Sequence, residues 1–180
     1  MRRLGLSIAV IAFLSASTVA LTQGFKNISE LLTGYEEVPA VSTTGNGEFN
    51  ARISNDGTRI DWELSYAATE SAVTQAHIHL GQKDVNGGIT VFFCTNLGNG
   101  PAGIQPCPPA PATISGTIFA ADVSPNIPAT AAARGQGLNT GEIDELIQAI
   151  RSGMTYVNVH TVAIPGGEIR SQINRDHRHP

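Results

Sequence analysis

The chain has 180 residues, 41% of them hydrophobic and only 14% charged, with 19 Gly and 10 Pro. Globular proteins carry about 25% charged residues, so this composition excludes a coiled coil or a charge-rich disordered chain; the polarity comes from Ser, Thr, Asn, Gln and Gly, the balance of an exported all-β domain. With 11 Lys+Arg against 15 Asp+Glu and a formal net charge of -4, no basic stripe exists for a phosphate backbone, and nucleic acid is not expected as a partner.

The N-terminus begins with the basic Met1-Arg2-Arg3, continues as an apolar run from Leu4 to Leu14, and passes into the small residues Ser15-Ala16-Ser17-Thr18-Val19-Ala20. That order is expected of a secretory signal peptide over residues 1–20, with the cleavage boundary between 17 and 24. An apolar core of about 11 residues falls short of the ~20 needed to span a bilayer, so no stable membrane anchor is expected after cleavage. One domain is expected over 25–174, and residues 175–180 read as a disordered tail.

Residues 29–33 read as a first strand. Phe49, Ala51 and Ile53 then alternate with Glu48, Asn50 and Arg52, Asn55-Asp56-Gly57 supplies turn chemistry, and Ile60, Trp62, Leu64 and Tyr66 resume the period of two. This is a hairpin pattern with one face buried. Further strands are expected over 73–80, 88–94, 112–120, 155–161 and 168–173, about eight in all, which defines an all-β sandwich or barrel. One short helix is expected near 141–152: Asn139 and Glu142 form a capping-box pair, Ile143, Leu146, Ile147 and Ile150 make an apolar stripe, and Gly153 stops it.

Two irregular stretches stand out, residues 95–111 and 123–138. The first contains five Pro and lies mostly between Cys94 and Cys107, the only two cysteines. In an exported chain these are expected to form a disulfide rather than a free thiol pair. The second has no visible staple and is expected to be the loosest part of the domain.

In Gln75-Ala76-His77-Ile78-His79-Leu80 a strand would point Ala76, Ile78 and Leu80 to the core and His77 and His79 to the other face, roughly 6.5 to 7 Å apart. Tyr156-Val157-Asn158-Val159-His160 repeats the pattern with a third imidazole. Three readings are open. His77, His79 and His160 could hold copper or zinc, both of which accept nitrogen ligands. They could instead form a structural polar cluster with Asn158, Thr161, Glu168 and Arg170, or line a metal-free binding site. Glu36-Glu37 before Val38-Pro39 reads as a solvated edge.

Four ordered blocks carry a family resemblance: Leu32-Thr33-Gly34-Tyr35-Glu36-Glu37-Val38-Pro39, then Ala76-His77-Ile78-His79, then Gly153 to Thr161, and last Pro165-Gly166-Gly167-Glu168-Ile169-Arg170. Together they resemble the CHRD domain, named after chordin, over about residues 29–173. The resemblance implies an extracellular domain with an immunoglobulin-like β-barrel. Chordin's antagonism of growth-factor signalling also depends on cysteine-rich modules absent from this sequence, so that role is not implied. Locally, His77-Ile78-His79 with Gly81, and His160 followed by Gly166-Gly167 and Arg170, are similar to the copper-binding strand, later copper ligand and active-site arginine of copper/zinc superoxide dismutases. There is no histidine between Leu80 and Val159, so that family's bridging ligand and zinc loop have no counterpart.

The expectation is therefore a secreted or periplasmic CHRD protein acting as a non-enzymatic binding or structural module, its partner an unidentified extracellular protein or small ligand. The alternative is a copper- or zinc-binding metalloprotein with redox or superoxide-related chemistry. No Gly-x-Ser-x-Gly, phosphate-loop or His-Glu-x-x-His pattern occurs in the sequence.

Overall fold

A computed structural model describes residues 27–173; the expected signal peptide and C-terminal tail lie outside the described residues. Eight strands follow one another as β1 (Asn27–Thr33), β2 (Asn46–Ile53), β3 (Ile60–Ala67), β4 (Val73–Leu80), β5 (Gly88–Thr95), β6 (Ala112–Ile118), β7 (Thr155–Thr161) and β8 (Ile169–Ile173). They form one antiparallel sheet in the order β5-β4-β7-β8-β1-β2-β3-β6. The sheet curls into a nearly closed barrel. Across the seam between β5 and β6, the Gln105 side chain donates to Phe93 O at 3.1 Å and Ser115 O at 3.4 Å. Gln105 thereby occupies backbone acceptors that an open sheet edge would leave unpaired.

The interior is apolar, as the period-two pattern requires. Phe93 lies 4.3 Å from Trp62 and 5.3 Å from Phe49 between ring centroids, with Leu64, Ile78, Val157 and Ile169 also fully enclosed. Gly116 sits against the Trp62 indole, where a Cβ would come within 2.9 Å of the ring. Tyr66 is buried at the same level and satisfies its hydroxyl by donating to Pro108 O at 2.7 Å.

Cys94 and Cys107 are disulfide-bonded, as expected, with Cα atoms 5.0 Å apart. Asn96 reinforces this tie: its amide nitrogen donates to Val73 O and Cys107 O, and its amide oxygen accepts from Cys107 N. The 95–111 segment is thus fixed along the seam, although it contains no regular element of its own.

The segment 123–138 departs from expectation. It contains a 3-10 turn (Pro128–Thr130) and a short helix, α1 (Ala131–Gly135), and buries Val123, Ser124, Thr130, Ala133 and Leu138. Arg134 reaches back to Pro125 O, Ile127 O and Thr130 Oγ1. One long cation does the stapling that no cysteine was available to do. The helix α2 (Ile143–Arg151) buries the expected Ile143, Leu146, Ile147 and Ile150 stripe against the core. It starts later than the capping-box reading placed it, because the Asn139 N–H donates to Glu142 Oε2 at 2.6 Å and closes a turn ahead of the helix. Gly153, at φ 70°, ends it in the left-handed region as expected.

Burial is not uniform around the sheet. Strands β2 and β3 alternate buried and accessible residues, whereas β7 and β8 are buried throughout and β4 is buried from Ala76 to His79. The sheet is therefore covered on its outer face at β4, β7 and β8. Three connecting segments supply the cover, residues 34–45, 81–87 and 162–168, and they are tied down by side chains from that face. Arg170 donates to Asn86 Oδ1 and Val85 O, Gln172 donates to Gly81 O, and Asn86 in turn donates to Val38 O.

Candidate metal centre

The histidines occupy this covered face. In the β4–β7 register His77 is opposite Asn158, His79 is opposite Tyr156, and Gln75 is opposite His160. Period-two geometry sends all three imidazoles outward while Ala76, Ile78, Val157 and Val159 fill the barrel. His77 is 0% exposed, His79 and His160 each 7%. Their ligand nitrogens all lie within 4.8 Å of one another, and among the described residues no Asp, Glu or Cys joins the group.

Hydrogen bonding fixes two of the three tautomers. His79 Nδ1 is 2.9 Å from Gly87 O and His160 Nδ1 is 2.9 Å from Pro165 O. A carbonyl oxygen can only accept, so each Nδ1 carries the proton and each Nε2 presents a lone pair. Neither Nε2 has a partner at hydrogen-bonding distance, the Asn158 amide standing near His79 without reaching it, and His77 has none at either nitrogen; all four atoms are out of reach of solvent. The His77 ring is held by packing instead, edge-on to Phe92 at 4.5 Å and beside His160 at 5.1 Å and His79 at 5.4 Å.

Burial pushes all three imidazoles toward the neutral form. His77 is held well below the ordinary 6.5 by burial and then by the neighbouring His79 and His160; burial takes His79 down to about 4 and lowers His160 as well. Three neutral rings with lone pairs converging are the donor state that a cation needs.

This arrangement fits copper or zinc. Each of the three rings has at least one orphaned nitrogen, two of the rings are oriented by backbone carbonyls as ligating histidines commonly are, and each buried nitrogen left unpaired costs about 1 to 3 kcal/mol. Nitrogens bound to one ion at about 2.0 to 2.1 Å lie roughly 3 to 4 Å apart, so binding draws the rings together by small side-chain rotations.

The polar groups expected around the histidines divide. Asn158 is buried beside His77, its Nδ2 donating to Glu37 Oε1 at 3.4 Å and its Oδ1 unpartnered. Arg170 is 1% exposed and places its guanidinium carbon 3.4 Å above the Tyr156 ring, which also stacks on His79 at 4.7 Å and 5°. Glu168 does not pair with Arg170. Its carboxylate accepts from Thr43 Oγ1, Thr161 Oγ1 and the Glu70 N–H, which ties the 162–168 segment to the 34–45 segment, to β7 and to the connection between β3 and β4. Glu168 is thus a structural clamp, while the imidazole nitrogens take no part in that network.

The reading of Glu36-Glu37 as a solvated edge holds for Glu36, which is exposed, and is corrected at Glu37. Glu37 is buried, and its carboxyl is pushed up to about 7 by burial, against the opposing influence of the Asn158 hydrogen bond and of Arg170. Glu36 Oε2 accepts from Gln172 N at 3.0 Å. Nothing local in the sequence separates the buried Glu37 from its exposed neighbour Glu36; the cover over the sheet encloses Glu37 alone.

An eight-stranded antiparallel barrel with a covered, histidine-bearing outer face defines the class of domain. The model of the CHRD domain matches residues 28–173, and the chain belongs to the CHRD-domain family. No curated protein and no solved structure is significantly similar to it. Membership is consistent with a non-enzymatic binding or structural module. CHRD domains occur in extracellular proteins, a location that the Cys94–Cys107 disulfide fits. Among the described residues no helix is long and apolar enough to cross a membrane.

Proposed function

We propose that this chain is an exported, non-enzymatic binding module of the CHRD family, and that it binds a copper or zinc ion through His77, His79 and His160. The observation that carries this reading is the set of four solvent-inaccessible imidazole nitrogens without hydrogen-bond partners in one cluster. Buried polar atoms are nearly always paired, so an orphaned group of this kind calls for a ligand. The carbonyl-set tautomers of His79 and His160 support it, because they turn the free lone pairs toward the cluster. The leader-like N-terminus and the disulfide support export.

The test is metal stoichiometry on protein expressed from the full chain, stripped with a chelator and then offered zinc or copper. One equivalent per chain is expected, lost in His77→Ala and in His160→Ala but kept in a His177→Ala/His179→Ala control. No binding, or binding lost only in the tail variant, contradicts the proposal.

A further inference from the structure

We propose that the ion favoured by the His77, His79 and His160 site is monovalent copper rather than zinc. This inference rests on the metal-binding reading above and specifies which ion the site prefers. Imidazole serves both metals, so donor type does not choose between them; charge and coordination number do.

All three donors are neutral, and no carboxylate or thiolate belongs to the cluster. A zinc ion bound there would therefore keep its full double charge beneath the cover, and cuprous copper a single one. The cost of desolvating an ion grows with the square of its charge, so the divalent ion pays four times the monovalent penalty at equal radius. The surroundings add no relief. The cation facing this layer is Arg170, itself 1% exposed, and its effect on His79 is repulsive. The acid that faces the layer, Glu37, stands behind Asn158 and interacts with Arg170, and the Glu168 carboxylate is occupied by Thr43, Thr161 and the Glu70 N–H.

Coordination number points the same way. Zinc takes four ligands, completing a three-residue site with water or substrate. Here the Nε2 atoms of His79 and His160 and both nitrogens of His77 are closed to solvent, with Phe92 packed against His77 and Tyr156 against His79. Cuprous copper shares zinc's closed d10 shell but carries half its charge, and three nitrogens satisfy it without a fourth donor. The site is thus suited to holding cuprous copper without a coordinated water.

The experiment is a competition under anaerobic, reducing conditions. Metal-free full-chain protein is given Cu(I) and Zn(II) separately and then together, with zinc in about tenfold excess so that retention of copper reports a preference above tenfold in affinity. Bound metals are counted after desalting, and X-ray absorption at the metal edge gives the number and type of nearest neighbours. The proposal expects one copper per chain with three nitrogen neighbours and no displacement by zinc. Zinc outcompeting copper, or either metal bound with an added oxygen neighbour, overturns the preference and leaves the metal reading intact. Binding of neither metal overturns both.

Discussion

Replacing His79 by Phe tests whether this imidazole is buried in its neutral form. In the folded chain His79 titrates at about 4, against 6.5 for an ordinary histidine, chiefly because burial disfavours the cation. Between those values the unfolded chain takes up a proton that the folded chain refuses, so stability is lost as pH falls from above 6.5 through 4. The full difference is about 3 kcal/mol, of which about 2 is lost between pH 7 and pH 4.5. Phe keeps the ring stacked on Tyr156 while removing the titration, and leaves Gly87 O without its partner at a cost of about 1 kcal/mol at every pH. Urea unfolding of chelator-treated protein, followed by fluorescence of Trp62, the sole tryptophan and buried beside Phe93, reads the difference. At about 1 to 3 kcal/mol/M the wild-type midpoint falls by roughly 1 M more than that of the variant over this pH range. Equal losses in the two proteins would refute a neutral, buried His79.

Glu37→Gln should show the opposite trend. Because Glu37 titrates at about 7 when folded and 4.5 ordinarily, the wild type gains up to about 3 kcal/mol as pH falls from 7 toward 4.5, a gain the Gln variant lacks; parallel pH profiles would contradict its burial. The Cys94→Ala/Cys107→Ala variant opens a loop of sequence separation 13 and should lose about 3 kcal/mol, read as a lower urea midpoint, with an unchanged midpoint counting against the clamp. Leu146→Ala removes a fully buried side chain of α2 and should cost about 2 to 5 kcal/mol; a loss below 1 would mean that the helix does not pack on the core as described. Saturating metal at about a hundredfold above Kd should stabilise the wild type by about 3 kcal/mol and raise its Tm by roughly 5 to 10 °C. His77→Ala should show no such rise.

The β2–β3 hairpin was legible because one face of it meets water, so Phe49, Ala51, Trp62 and Leu64 alternate with polar residues. The common face of His77, His79 and His160 was legible for the same geometric reason. Their burial was not. It depends on Gly87 O, Pro165 O and the Arg170–Asn86 contact, which join segments distant in sequence and leave no periodic trace. Glu37 was misread for this cause, and so was the 123–138 segment, whose Ala, Pro and Gly content gave no hint that Arg134 would gather three oxygen acceptors. Composition along the chain reports which side of a strand is apolar. It does not report which loop folds back over the other side.

A crystal structure of metal-loaded protein, with anomalous scattering recorded at the metal edge, locates the ion directly. One anomalous peak is expected on the covered face of β4 and β7, about 2.0 to 2.1 Å from a ring nitrogen of each of His77, His79 and His160, with the Nδ1 atoms of His79 and His160 still on Gly87 O and Pro165 O. Loaded crystals with no peak at that position, or with a peak ligated elsewhere on the chain, would contradict metal binding by these three histidines.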